Sequence, residues 1–224
     1  MKVLVFAPHA DDEILGVGGT ISRYVKEGHQ VDVCVVTVGT TPMFSEEVIK
    51  GIRQEALSAH KLLGVHESIF IELPAVLLSE VPKHEINQKI CGVVNKIQPD
   101  VVYIPHFGDM HYDHYAVAQA CMVAVRPING SRIKEVYSYE TLSESEWNTP
   151  HAMNSFIPNT YVDITGELED KKDAMGCFGT QVKEFPHPRS LEAIEALARL
   201  RGSTVGVKAA EAFCMLRKIS YEDV

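Results

Sequence analysis

Residues Lys2 to Glu13 read K-V-L-V-F-A-P-H-A-D-D-E. Lys2–Ala7 is a continuous apolar run with no alternation, as a central parallel strand buried on both faces requires. The run passes directly into Pro8, His9 and three carboxylates, Asp11, Asp12 and Glu13. Polar chemistry gathered where a buried strand ends is the layout of open α/β sheets, whose ligands bind at the carboxyl ends of the strands. A helix is expected from Glu13 to Lys26, stopping near Gly28.

Outward from this stretch the alternation repeats. Gln30–Val38 is a Val-rich strand ending at Gly39-Thr40-Thr41-Pro42. Ser45 and the acidic residues after it predict a capped helix from Glu46 to Leu63, with Gly64 as its stop. Glu67–Leu73, Asp100–Pro105 and Lys134–Tyr139 read as strands, and Pro82–Ile97 and Asp113–Val125 as helices. Residues 1–140 therefore predict a doubly wound, Rossmann-like α/β fold with a mostly parallel sheet of order 3-2-1-4-5. After Tyr139 the pattern loosens. Trp147 and four prolines punctuate one expected strand, Thr160–Ile164, and two helices, roughly Gly166–Cys177 and Ser190–Arg201. The expectation is one domain over 1–224, with residues 141–224 as a smaller extension that roofs the site.

Bulk properties narrow the function. The 224 residues are 46% hydrophobic and 23% charged, the balance of a soluble globular chain. No apolar run approaches the ~20 residues of a membrane span, and the N-terminal run reads as a strand rather than a signal peptide. Five scattered cysteines without C-x-x-C spacing argue against a disulfide framework and against a cysteine zinc site. A reducing cytoplasm is the expected compartment. A net charge of −9 without a basic cluster argues against nucleic acid as a partner and against long-range attraction of a strongly anionic substrate.

The second chemical cluster is His106-Phe107-Gly108-Asp109-Met110-His111-Tyr112-Asp113-His114, directly after the fourth strand. In the expected order, strands one and four are neighbours, so both clusters open into one crevice. Carboxylates crowded there repel unless a positive charge compensates, and a divalent metal is the simplest one. Local capping is the alternative: Asp11 or Asp12 could cap the first helix, and Asp113 the later one. A cap explains one carboxylate, not two clusters. His9, Asp12 and His114 would give one ion two imidazoles and a carboxylate, with water in a fourth position, which is a catalytic zinc layout. Gly16-Val17-Gly18-Gly19 lacks phosphate-loop spacing and reads instead as a close helix–sheet approach.

With Pro8-His9-Ala10-Asp11-Asp12-Glu13 and His111-Tyr112-Asp113-His114, the sequence resembles the LmbE/PIG-L-type N-acetylglucosaminyl deacetylases. Arg53-Gln54-Glu55-Ala56, Tyr161-Val162-Asp163-Ile164, Arg201-Gly202 and Ala210-Glu211-Ala212-Phe213 extend the likeness over nearly the whole chain. Ala10 departs from the usual Pro, a position without side-chain chemistry. The resemblance implies His9, Asp12 and His114 as ligands of Zn2+, Asp11 as general base, and His111 as the group that stabilises the oxyanion, oriented by Asp113. It also implies Arg53 as a substrate contact. His187-Pro188-Arg189-Ser190 looks like an element of a branch acting on small sugar conjugates, making His187 and Arg189 further contacts.

The expected function is a zinc-dependent hydrolase that removes an N-acetyl group from an amino-sugar substrate. In that scheme His111 works as an imidazolium whose pKa Asp113 raises. A zinc hydrolase of another amide and a catalytically silent metal-binding protein are the competing readings; an unligated Asp11 speaks against the second. The expected partner is a small N-acetylated sugar conjugate, with no nucleic acid and no membrane, and the sequence leaves a homo-oligomer open.

Overall fold

A computed structural model describes residues 1–128 and 130–222, so the last two residues of the expected domain lie outside the described ones. The chain runs β1 (Lys2–Ala7), α1 (Asp12–Lys26), β2 (Gln30–Val38), α2 (Glu46–Leu63), β3 (Glu67–Pro74), α3 (Lys83–Ile97), β4 (Val101–Pro105) and α4 (Tyr112–Ala124). There follow β5 (Glu135–Tyr139), β6 (Thr160–Asp163), α5 (Leu168–Gly176), α6 (Leu191–Val205) and β7 (Ala210–Lys218). The sheet order is β3-β2-β1-β4-β5-β7-β6. Strands β3 to β5 are parallel in the expected 3-2-1-4-5 order, and β7 and β6 are joined on antiparallel.

The unbroken apolar run of β1 follows from burial on two sides. Val3, Val5 and Ala7 pack with residues of α1, α2, α5 and α6, including Ile14, Leu63, Met175 and Ile194. Leu4 and Phe6 point the other way, into a core built from α3 and α4, with Ile86, Ile90, Val117 and Cys121. Successive side chains of a strand leave opposite faces, so a strand at the centre of three layers has no polar position to spare.

Close approach explains the glycines of α1. A Cβ at Gly16 would collide with the ring of Tyr139 on β5, and one at Gly19 would lie 2.8 Å from Ile164. Ser45 caps α2 by accepting the Val48 N–H at 3.3 Å, and Gly64 ends it in the left-handed conformation at φ 76°.

The C-terminal extension holds one more strand than its sequence pattern predicts. Strand β7 lies between β5 and β6 and pairs antiparallel with both. Its residues, A-E-A-F-C-M-L-R-K, are mostly helix formers, and tertiary pairing overrides that preference. Glu211 secures it: the buried carboxylate accepts the Gly19 and Thr20 N–H groups of α1 at 3.0 and 2.7 Å. Lys171 Nζ adds a third bond at 2.6 Å. The extension therefore completes the sheet as well as covering its end. Among the described residues, no helix is long and apolar enough to cross a membrane.

Candidate metal centre and its cleft

The neighbouring carboxyl ends of β1 and β4 bring both clusters together. His9, Asp12 and His114 each offer one ligand atom, and these atoms lie within 4.8 Å of one another. Two buried atoms of this cluster lack a hydrogen bond. His114 Nε2 is 3.2 Å from Asp12 Oδ2 without hydrogen-bonding to it, and neither this nitrogen nor Asp12 Oδ1 has any hydrogen-bond partner, although both are buried. Buried polar atoms rarely go unpaired, so two of them within one ligand cluster fit a bound cation. The rest of each side chain is fixed. His114 Nδ1 donates to Asp109 Oδ2 at 2.8 Å, which turns the lone pair of Nε2 toward the centre. Asp12 Oδ2 accepts the His9 N–H at 2.8 Å.

Electrostatics follow the same arrangement. Burial alone would raise the Asp12 carboxyl, but His114 and His9 outweigh it and hold it well below the usual carboxylate range. Burial works against the His9 imidazolium, yet Asp113 and Asp12 lift it to about 9. His114 is likewise raised, with Asp12 and Asp109 overcoming burial.

A second group, His9, His111 and Asp113, also lies within 4.8 Å, but the Asp113 oxygens and His111 Nδ1 are already engaged. Asp113 Oδ2 and Oδ1 accept the Val76 and Leu78 N–H groups at 2.6 and 3.3 Å. His111 Nδ1 accepts the Asp113 backbone N–H at 3.1 Å, capping α4. The cap that sequence offered to Asp113 thus belongs to His111.

The expected pairing of the Asp113 carboxylate with His111 is also revised. That carboxylate lies 3.1 Å from His9 Nε2 and 3.9 Å from His111 Nδ1. Burial, followed by the charge of His9, lowers the His111 pKa on balance, outweighing the expected upward pull of Asp113.

Asp11 precedes α1 without capping it. Its side chain makes no cap bond, and its backbone is left-handed at φ 115°, a conformation costing about 1–3 kcal/mol for a residue other than glycine. Three groups hold it there. The Asp11 N–H donates to Glu13 Oε2 at 3.2 Å, His60 Nε2 donates to Glu13 Oε1 at 2.9 Å, and Ser68 faces the other His60 nitrogen at 2.8 Å. The Asp11 carboxylate is thereby presented to Arg189, whose Nη1 donates to Oδ2 at 3.2 Å. Burial and the adjacent Asp12 charge push Asp11 up to about 8, against the pull of Arg189.

With this geometry in view, the match to a family model is decisive. Residues 4–125, more than half of the chain and including both clusters, match the model described as PIG-L, GlcNAc-PI de-N-acetylase. The chain belongs to the PIG-L family. Its relatives include an uncharacterized deacetylase, YaiS, of Escherichia coli, 29% identical over 74% of this chain and 83% of that protein. Diacetylchitobiose deacetylase of Thermococcus kodakarensis is 24% identical over 83% of this chain and 70% of its own. Among solved structures, the conserved protein TT1542 from Thermus thermophilus superposes with a TM-score of 0.79 at 27% identity, covering 98% of this chain and 96% of that one.

The PIG-L centre here opens into a cleft of about 230 Å³ whose lining includes His9, Asp11, Arg53, His111 and Arg189. Arg53 bonds Glu72 and lies 4.3 Å over the Phe70 ring. His187, the third expected substrate contact, is not among the described residues that line the cleft. Its Nδ1 accepts the Arg189 N–H at 3.0 Å, and its ring lies 6.0 Å from Trp147, so it shapes the loop that carries Arg189. Sequence reasoning gave no role to Asp109, Glu144 or Gln181. Asp109 stood inside the recognised cluster. Glu144 and Gln181 line the cleft from the extension, where no periodicity or motif marked them.

Proposed function

We propose that this protein is a zinc-dependent hydrolase that removes the N-acetyl group from a small amino-sugar conjugate of the N-acetylglucosamine type. The observation that carries the reading is the pair of partnerless buried atoms, Asp12 Oδ1 and His114 Nε2, beside an Asp11 that is free of them. Zinc held by His9, Asp12 and His114 would lower the pKa of a water from 15.7 to about 7 and polarise the amide carbonyl.

The chain's own groups supply the rest. Asp11, fixed by Arg189 at Oδ2, takes the proton from the attacking water and returns it to the leaving amine. His111 spends Nδ1 on the Asp113 N–H, so its ring proton sits on Nε2. A neutral imidazole with that proton donates to the developing oxyanion. Arg189, Gln181 and Glu144 supply polar contacts for sugar hydroxyls.

A silent metal-binding protein would have no use for a strained, separately supported Asp11. The five free cysteines support a reducing, cytoplasmic setting. The test is release of free amine from a panel of N-acetylglucosamine conjugates, with and without a chelator. Chelator-sensitive release supports the reading, and release from none of the panel removes it.

A further inference from the structure

Beyond the metal centre the cleft changes character. It continues between the end of β2, the loop after it and the first half of α2, where its walls are Val38, Phe44, Val48, Ile49, Ile52 and Phe70. Helix α2 buries Ala56, Ala59, His60 and Leu63 in the core with its second half. Its first half instead turns Val48, Ile49 and Ile52 to the cleft, and Val48 stays 42% exposed. Phe44 seats against Gly39, where an added Cβ would lie 2.9 Å from its ring.

Three polar groups of the lining are already committed. Thr37 Oγ1 donates to the Pro8 carbonyl at 2.7 Å. Arg53 is paired with Glu72, and Arg189 with Asp11. An anionic substituent would have to displace Glu72 from Arg53 or Asp11 from Arg189, and a hydroxyl-rich one laid against the apolar walls would lose water without finding partners there, which is costly. An alkyl chain or an aryl ring suffers neither loss and removes apolar wall from water.

Resting on the deacetylase reading above, we propose that this chamber is a subsite for an apolar substituent of the N-acylated sugar. Its two chemical sources are an apolar aglycone and an acyl chain longer than acetyl.

The test uses the zinc-loaded protein and two substrate series. One lengthens the O-alkyl group of N-acetylglucosaminides from methyl to hexyl; the other lengthens the N-acyl group of glucosamine from acetyl to hexanoyl. In one series kcat/KM should rise by about two- to fourfold per methylene, and the responding series identifies the source. Ile52→Asn should flatten that rise, and a carboxyalkyl aglycone should react more slowly than the methyl one. Two flat or falling series, with methyl N-acetylglucosaminide still hydrolysed, overturn the subsite. If no N-acylated sugar is hydrolysed, the deacetylase reading fails by itself, and calorimetry with hexyl glucoside decides the subsite separately. Saturable binding weakened about tenfold by Ile52→Asn supports it; no binding overturns it.

Discussion

His114 Nδ1 lies 2.8 Å from Asp109 Oδ2, with both residues buried, and Ser145 Oγ holds the other Asp109 oxygen. This contact fixes the tautomer that turns His114 Nε2 to the centre. Asp109→Ala should therefore weaken zinc binding about 10–100-fold while leaving all three ligands in place. His114→Ala should lose most of the metal outright. Zinc content and competition titration measure both; an Asp109→Ala protein that binds zinc as tightly as wild type would show that the contact is incidental.

Proton competition gives the second prediction. In the metal-free protein His9 is held up at about 9 and His114 is also raised, so protons compete with a cation for both imidazoles. Binding a cation must expel them. Apparent zinc affinity should rise steadily with pH until it passes the raised His9 value. The same shift acts oppositely on the metal-free fold: its stabilisation is complete below the ordinary histidine pKa and is lost as pH rises through about 9. Affinity flat across this window, read with a chromophoric chelator, contradicts protonated ligands.

Asp11→Asn is nearly isosteric and leaves the ligand set intact. It should keep zinc and fold while kcat falls ~10²-fold or more, the range for a lost general base. Loss of zinc instead would exchange the roles of Asp11 and Asp12.

Packing supplies an independent check. Gly16→Ala sets a methyl group against the Tyr139 ring, which cannot swing away because its hydroxyl is bonded to the Phe6 carbonyl at 2.7 Å. The variant should lose about 1–3 kcal/mol, the usual cost of overpacking. Chemical denaturation measures it, and an unchanged midpoint would mean that α1 lifts freely from β5.

How far the sequence carried can be seen at particular residues. Val3 to Ala7 had to be apolar throughout because helices cover both faces, so β1 and its place in the sheet were legible. His9, Asp12 and His114 were legible because strand order makes neighbours of segments far apart in sequence. Strand β7 was not, since Ala210–Lys218 is extended only by its pairing with β5 and β6. Nor were Glu144 and Gln181, single polar residues in a region without period. The partner of Asp113 depends on the direction of one side chain in the first turn of α4, which spacing alone does not determine.

That side chain carries the final prediction. Sequence assigned the Asp113 carboxylate to His111, as the group that keeps it protonated. The structure sets it 3.1 Å from His9 Nε2, bound also by the Val76 N–H, and leaves His111 only the backbone N–H of the same residue. The two arrangements differ in what Asp113→Asn does. If the carboxylate orients His9, the variant should weaken zinc binding about 10-fold or more, as loss of a ligand's orienting partner does. His111→Ala, by contrast, should keep zinc and lose ~10²–10³-fold in kcat, the scale for one oxyanion donor. In the proposed role of His111 as a neutral donor, for which its lowered pKa suits it, any alkaline fall in activity should survive in His111→Ala. The opposite pattern would restore the Asp113–His111 pair: zinc untouched in Asp113→Asn, kcat lowered as in His111→Ala, and the alkaline limb abolished in both.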